Sequence, residues 1–260
     1  MFRRRVTGNH RPPSPSPSPC STVTHHHPPH LSLLADKCTS MRQLQQIHAQ
    51  MLVSATIHDH FAASRLLSFS ALSPHPDLTY ASKLFHTLHH PNMFMWNTLI
   101  RGLALSPNPH QSLLLFIKMR RKGVTPGKHT FPFLLKACFS LQSVESCKQV
   151  HSQVLKYGLD LDLHVVNSLI RGYSVCSSLG DARQVFDEMP ERNVNIWTTM
   201  VCGYAQNDHA GEAITLFNEM VGRRFEPSGP SLSSVLSACA QIRVFRHGGK
   251  DSWIYIGEGV

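Results

Sequence analysis

The sequence predicts an all-α fold, a solenoid of stacked helix–turn–helix repeats behind a disordered N-terminal leader, and three observations carry that expectation. The chain repeats itself at a spacing of 101 residues. Its apolar residues recur with the helical period in segments of about 12 residues. The short Gly, Pro and Asn breaks between those segments leave no room for a sheet.

A shift of 101 residues brings Trp96 onto Trp197, Phe116 onto Phe217, Met119 onto Met220, Pro126 onto Pro227 and Ala137-Cys138 onto Ala238-Cys239. Ala81 meets Ala182, Phe85 meets Phe186 and Asn92 meets Asn193 in the same frame. The earlier segment 46–50, Gln-Ile-His-Ala-Gln, matches 149–153 at an offset of 103, with the two-residue difference near 73–77. Each block divides into units of 35, 35 and 31 residues, at 93–127, 128–162 and 163–193, and 194–228 restarts the cycle.

Within 93–127 the first helix carries Trp96, Leu99, Ile100 and Leu103 at i, i+3, i+4 and i+7. The second carries Leu113, Leu114, Phe116, Ile117 and Met119 as its apolar face and stops near Gly123 and Pro126. In 194–228 the same places hold Trp197, Met200, Val201 and Tyr204, then Ala213, Leu216, Phe217 and Met220. One such pair cannot bury its apolar face alone, so neighbours stack into a continuous core with a concave binding surface. Trp96 and Trp197 lie on that stripe as core residues, and Cys138 and Cys239, among Ala and Leu, are expected to be buried small hydrophobes.

Composition narrows the function classes. Of 260 residues 42% are hydrophobic, which excludes a wholly disordered chain, and no apolar run reaches the 18 residues of a membrane-spanning helix. Seven cysteines, an odd number without any Cys-x-x-Cys, suit a reducing compartment. The net charge is +9, from 25 Lys and Arg against 16 Asp and Glu. Arg3, Arg4, Arg5 and Arg11 precede the first acid, Asp36, so the leader contributes +4 and the rest 21 − 16 = +5. Seven of the 17 prolines lie in residues 1–30 and prevent regular structure there. Residues 1–27, basic and rich in Ser, Pro and His, read as a transit peptide, with an ordinary disordered tail as the alternative. His25, His26, His27 and His30 are interrupted by Pro28 and Pro29 and lack a converging Cys or carboxylate, so no metal is expected. No deaminase zinc motif, nucleophile elbow, P-loop or His-Glu-x-x-His occurs, so no enzymatic activity and no cofactor are expected.

The segments Met93-Phe-Met-Trp-Asn-Thr-Leu-Ile-Arg-Gly102, Phe131-Pro-Phe-Leu-Leu-Lys-Ala-Cys138 and Gly180-Asp-Ala-Arg-Gln-Val-Phe-Asp-Glu-Met-Pro-Glu-Arg-Asn193 resemble plant pentatricopeptide repeat (PPR) proteins. The 35-35-31 cycle resembles their PLS subclass, here without the C-terminal E and DYW extensions. The resemblance implies a right-handed α-solenoid over 28–245, in units of about 28–59, 60–92, 93–127, 128–162, 163–193, 194–228 and an incomplete 229–245. Residues 246–260 diverge from the pattern, as a truncated product would.

By the same resemblance the chain would bind single-stranded organellar RNA sequence-specifically, one base per repeat. It would serve processing such as C-to-U RNA editing as a non-catalytic recognition factor, with a deaminase-bearing or other editing-complex protein as partner and no membrane. The address would be mitochondrion or chloroplast, with Arg3–Arg5 leaning towards the mitochondrion. The alternative is a protein-binding helical-repeat scaffold, or a truncated product without activity of its own.

In this family the fifth and last residues of a motif read the base and the second residues sandwich it. Carried over, Ser64 and Asn92 resemble an adenine pair, and Asn97 suggests a pyrimidine although Gly127, its partner, has no side chain. Asn167 and Asn193 resemble a cytosine pair, and Thr198, with Ser228 as an atypical partner, suggests a purine. Pro132 and Asp162 are assigned no base. Phe61, Phe94, His164 and Asn195 hold the second positions, where the aromatics would stack. Capping is the alternative role for Asn97, Asn167 and Thr198, because small polar residues favour helix starts. The run Lys118, Arg120, Arg121, Lys122 is read as complementing a helix dipole rather than as a phosphate contact.

Overall fold

Side chains that answer backbone amides start the helices. Ser40, Asp59, Asp77, Asn92, Ser143, Asp162 and Asn193 each accept an N–H of the first turn that has no partner inside the helix. The structure, a computed structural model, describes residues 30–248, without the side chains of 30–32 and 243–248. All regular structure among the described residues is helical. The helices come in pairs: α1 (His30–Asp36) with α2 (Met41–Val53), α3 (His60–Leu72) with α4 (Leu78–Thr87), and α5 (Met93–Ala104) with α6 (His110–Arg121). Then follow α7 (Phe131–Ser140) with α8 (Val144–Lys156), α9 (Leu163–Val175) with α10 (Leu179–Glu188), α11 (Val194–Gln206) with α12 (Ala210–Gly222), and α13 (Gly229–Gly248). A 3-10 turn, Thr56–His58, lies between α2 and α3.

Helix ends are closed by left-handed residues. After α6, Gly123 at φ 75° lets the Val124 N–H reach back to the Met119 carbonyl at 3.2 Å. One block later Arg224 does the same at φ 63°, with Phe225 N–H on the Met220 carbonyl at 3.1 Å. The second block therefore holds a side chain in a conformation that the first gives to glycine.

Two layers result. Each first helix packs on the first helix of the next pair, so α1, α3, α5, α7, α9, α11 and α13 form one continuous layer. Each second helix packs on its own partner and the following first helix, and successive second helices meet only through long side chains, as His86 of α4 with Lys118 of α6 and Lys148 of α8 with Asp181 of α10. Small residues set the inner spacing. A Cβ on Gly102 would lie 2.8 Å from the Ala71 carbonyl oxygen, and one on Gly203 would lie 2.9 Å from the Ser174 Cβ. Trp96 and Trp197 are buried and meet Phe85 and Phe186 edge-on at 4.7 and 4.9 Å, the same contact in both blocks.

Two expectations about the core need correction. Leu114 and Ile117 are 47% and 44% exposed, while Ser112, Leu115, Phe116 and Met119 face inward. The helix α6 packs its backbone on α5 and α7 and reaches α4 through the polar Lys118–His86 contact, so the arc it buries is narrower than its apolar sequence. Cys138 is buried as expected, but Cys239 is exposed. In the first block α8 and α9 cover α7, whereas no helix after α13 lies among the described residues to cover Cys239. His25, His26, His27 and the rest of the leader lie outside the described residues, as do residues 249–260 of the divergent tail.

Candidate nucleic-acid interface

The first-helix layer carries the candidate residues at recurring heights. At the second positions Phe61 and Phe94 are 47% and 56% exposed, and His164 and Asn195 are exposed as well. Phe61 is topped by the Arg65 guanidinium, 4.6 Å from its ring centroid. Large aromatic side chains left in water on a layer that is otherwise packed are available for stacking.

One turn further in, Asn97, Asn167 and Thr198 are half-buried; the first two are bonded to the next unit and Thr198 to the last residue of its own. The Thr130 hydroxyl donates to Asn97 Oδ1 at 2.8 Å while accepting the Gly127 N–H at 3.1 Å. The Thr199 hydroxyl donates to Asn167 Oδ1 at 2.6 Å. Thr198 and Ser228 share a hydrogen bond of 2.9 Å, and Ser228 also receives the Ser231 N–H. With Oδ1 occupied, Asn97 and Asn167 turn the donor end of the amide, Nδ2, away from that bond.

None of these three residues caps a helix, which corrects the capping alternative. The caps are the last-position residues instead: Asn92 accepts the Met95 N–H at 3.0 Å and Asn193 accepts the Ile196 N–H at 3.1 Å. Ser64 is 8% exposed and its hydroxyl is spent on the Phe61 carbonyl at 2.9 Å, so it is the least accessible of the candidates. Of the four fifth-and-last pairings, Thr198 with Ser228 is joined by a direct hydrogen bond. Asn97 meets Thr130 in place of Gly127, and Asn167 meets Thr199 in place of Asn193. Thr130 and Thr199 are thus part of the site although the motif positions do not include them.

Charge is concentrated on the middle of the array. From 78 to 144 there is no Asp or Glu and there are eight Lys and Arg, so residues 36–77 and 145–260 together carry 5 − 8 = −3. Such a one-signed stretch draws polyanions electrostatically. Two neighbouring thiols are held protonated. A hydrogen bond with Cys138 and burial push the Cys147 thiol up, and burial beside Cys147 pushes Cys176 up to about 12. Among the described residues no three His, Cys, Asp or Glu side chains converge as a metal site would require.

The chain matches the PPR repeat family over residues 91–140 and 192–241, and the PPR repeat over 164–194. A pentatricopeptide repeat-containing protein of Arabidopsis thaliana is 40% identical over 202 residues, covering 78% of this chain and 40% of that protein. A second, whose name carries the words chloroplastic/mitochondrial, is 41% identical over 238 residues, covering 90% of this chain and 36% of its own length. The chain therefore spans about two fifths of the length of these relatives. In three dimensions it resembles the pentatricopeptide repeat protein PPR10 in complex with an 18-nt psaJ RNA element, with a TM-score of 0.61 and 16% identity over 85% of this chain and 37% of that one. PPR10 from maize gives a TM-score of 0.55 at 17% identity, over 84% and 36% of the two chains. With paired helices stacked through one inner layer, the repeat text recurring along the sequence and this fold likeness, the chain belongs to the pentatricopeptide repeat family.

Proposed function

We propose that this protein binds single-stranded RNA sequence-specifically in a plant organelle, one base per repeat, as a non-catalytic recognition factor in RNA processing such as C-to-U editing. The observation that carries the reading is the row Asn97, Asn167 and Thr198, half-exposed on the inner layer, with Asn97 and Asn167 each fixed by a hydrogen bond from the next unit and Thr198 by one to Ser228 at the end of its own. Exposed Phe61, Phe94, His164 and Asn195 flank this row as sandwiching side chains. In the unit frame 60–92, 93–127, 163–193 and 194–228, Asn92, Asn193 and Ser228 supply the last-position partners, and at the first unit reading falls to Asn92 because Ser64 is buried. The amide donors of Asn97 and Asn167, which take no part in these bonds, suit the carbonyl acceptors of pyrimidines. The relatives' names, chloroplastic/mitochondrial and mitochondrial, support an organellar address.

The test is a gel-shift series with short RNAs of the form A-Y-N-C-R against scrambled strands. The programmed strand is expected to bind at least about tenfold tighter, as a few base-edge hydrogen bonds would provide. Asn167→Ala should erase the preference at its own base while helical content stays unchanged. Equal affinity for programmed and scrambled strands would sink sequence-specific reading.

A further inference from the structure

Both blocks have a cleft at the same place, between the loop that leads into a first helix and the C-terminal turn of the second helix that follows. In the second block the cleft is filled by its own side chains. Arg192 lies 4.6 Å over the Phe186 ring and donates to the Phe186 and Asp187 carbonyls at 2.7 and 2.9 Å. Arg223 lies 5.5 Å over Trp197 and pairs with Glu219 at 2.8 Å, and Phe225 packs on Trp197 at 5.8 Å.

In the first block the places of Arg192 and Phe225 are taken by Pro91 and Val124, and an open cleft of about 460 Å³ remains beside Phe85 and Trp96. Its rim holds His86, His89, His90, Lys118 and Lys122 without a carboxylate among the lining residues. The corresponding positions of the second block are Asp187, Pro190, Glu191, Glu219 and Arg223. His86 donates from Nδ1 to the Ser82 carbonyl at 2.6 Å and receives Lys118 Nζ on Nε2 at 2.7 Å. A neutral imidazole therefore positions the ammonium, which keeps further N–H groups for a ligand.

We propose that this cleft is a nucleotide site, with the phosphate held by Lys118, Lys122 and the imidazoles of His89 and His90, and the nucleoside against Leu88, Pro91 and Val124. Uncompensated cations gathered on the rim of one cleft favour an oxyanion that accepts several charge-assisted bonds. The volume is far larger than a bare ion needs and falls in the range of roughly 300–1,000 Å³ typical of small-molecule sites. The phosphate ester is either a free mononucleotide or one residue of a bound RNA strand, and only the second source rests on the RNA reading above.

Calorimetric titration of the full chain with AMP, adenosine and inorganic phosphate tests this, with a gel shift on single-stranded RNA in parallel. AMP is expected to bind at least about tenfold tighter than adenosine or phosphate, and Lys118→Glu with Lys122→Glu to remove that advantage. Pro91→Arg with Val124→Phe, which restores the side chains that fill the second cleft, should abolish AMP binding without lowering the unfolding temperature. If AMP fails to bind but the refilled variant weakens RNA at least about tenfold with its sequence preference intact, the strand is the source. Adenosine or phosphate binding as tightly as AMP overturns the proposal, as does a refilled variant that binds both AMP and RNA like the parent chain, or a parent chain that ignores AMP and whose RNA affinity survives refilling. Asn167→Ala separates the two readings, since it should change base preference and leave AMP titration untouched.

Discussion

Residues 78–144 and their counterparts 179–245 fold alike around Trp96 and Trp197, yet the first stretch carries eight cations and no acid, while the second carries five cations and eight acids, 5 − 8 = −3. The positions that agree are the ones that touch other helices: the Trp–Phe contact and the glycines Gly102 and Gly203 at the inner-layer crossings. Other buried positions differ only in apolar type, as Leu99 against Met200 and Ile100 against Val201, whereas the changes of charge lie on loops and outer turns, such as Pro91 against Arg192 and Lys118 against Glu219. A solenoid whose units contact only their neighbours can hold its scaffold constant while its surface chemistry drifts from block to block.

If the scaffolds are equivalent, Trp96→Ala and Trp197→Ala should each cost about 3–5 kcal/mol, measured by denaturant unfolding. Losses that differ severalfold would break the equivalence. The glycine crossings sharpen it: Gly102→Ala presses on the Ala71 carbonyl oxygen and Gly203→Ala on the Ser174 Cβ, so each should cost about 1–3 kcal/mol. A severalfold difference between the two would mark one crossing as the more rigid. At the left-handed closures, Arg224→Gly should be neutral to stabilising and Gly123→Arg should cost about 1 kcal/mol, read as opposite shifts of the melting temperature.

The smallest effect concerns the repeated histidines. Burial lowers the pKa of both His48 and His151, whose Nδ1 atoms face the Tyr80 and Tyr173 hydroxyls. The unfolded chain then binds more protons, so their contribution is present above the ordinary value of about 6.5 and fades as pH falls below it. Asp181, Glu188 and Asp160 oppose the shift at His151 and no such group opposes it at His48. His48→Gln and His151→Gln should each remove part of the stability loss between pH 7 and 5, and slopes unchanged from the parent chain in both variants would contradict it.

The fold was legible because helix period and repeat spacing follow from backbone geometry that every unit shares, as Trp96 and Trp197 illustrate. Rotation about each helix axis was not. Leu114 and Ile117 look like core residues by type, and only the packing of α6 between α5 and α7 shows that the buried arc runs through Ser112 and Leu115. Net charge hid its own distribution, since +5 over residues 36–260 averages an acid-free stretch with an acidic one. In the candidate site the motif positions pointed to Asn97 and Asn167, but Thr130 and Thr199 stand 33 and 32 residues away and no local pattern marks them. The filling of one cleft by Arg192 and Phe225 and the opening of the other are likewise three-dimensional facts about side-chain volume.

The bonds from Thr130 to Asn97 and from Thr199 to Asn167 also limit modular engineering. Each amide owes its orientation to a hydroxyl that belongs to the repeat behind it, so the smallest transferable word is a repeat together with the first helix of its successor. Grafting residues 93–127 alone onto another array would carry Asn97 but not the hydroxyl that anchors its Oδ1. Exchange of such units, in the laboratory or in evolution, should keep its meaning only when the junction falls after that neighbour.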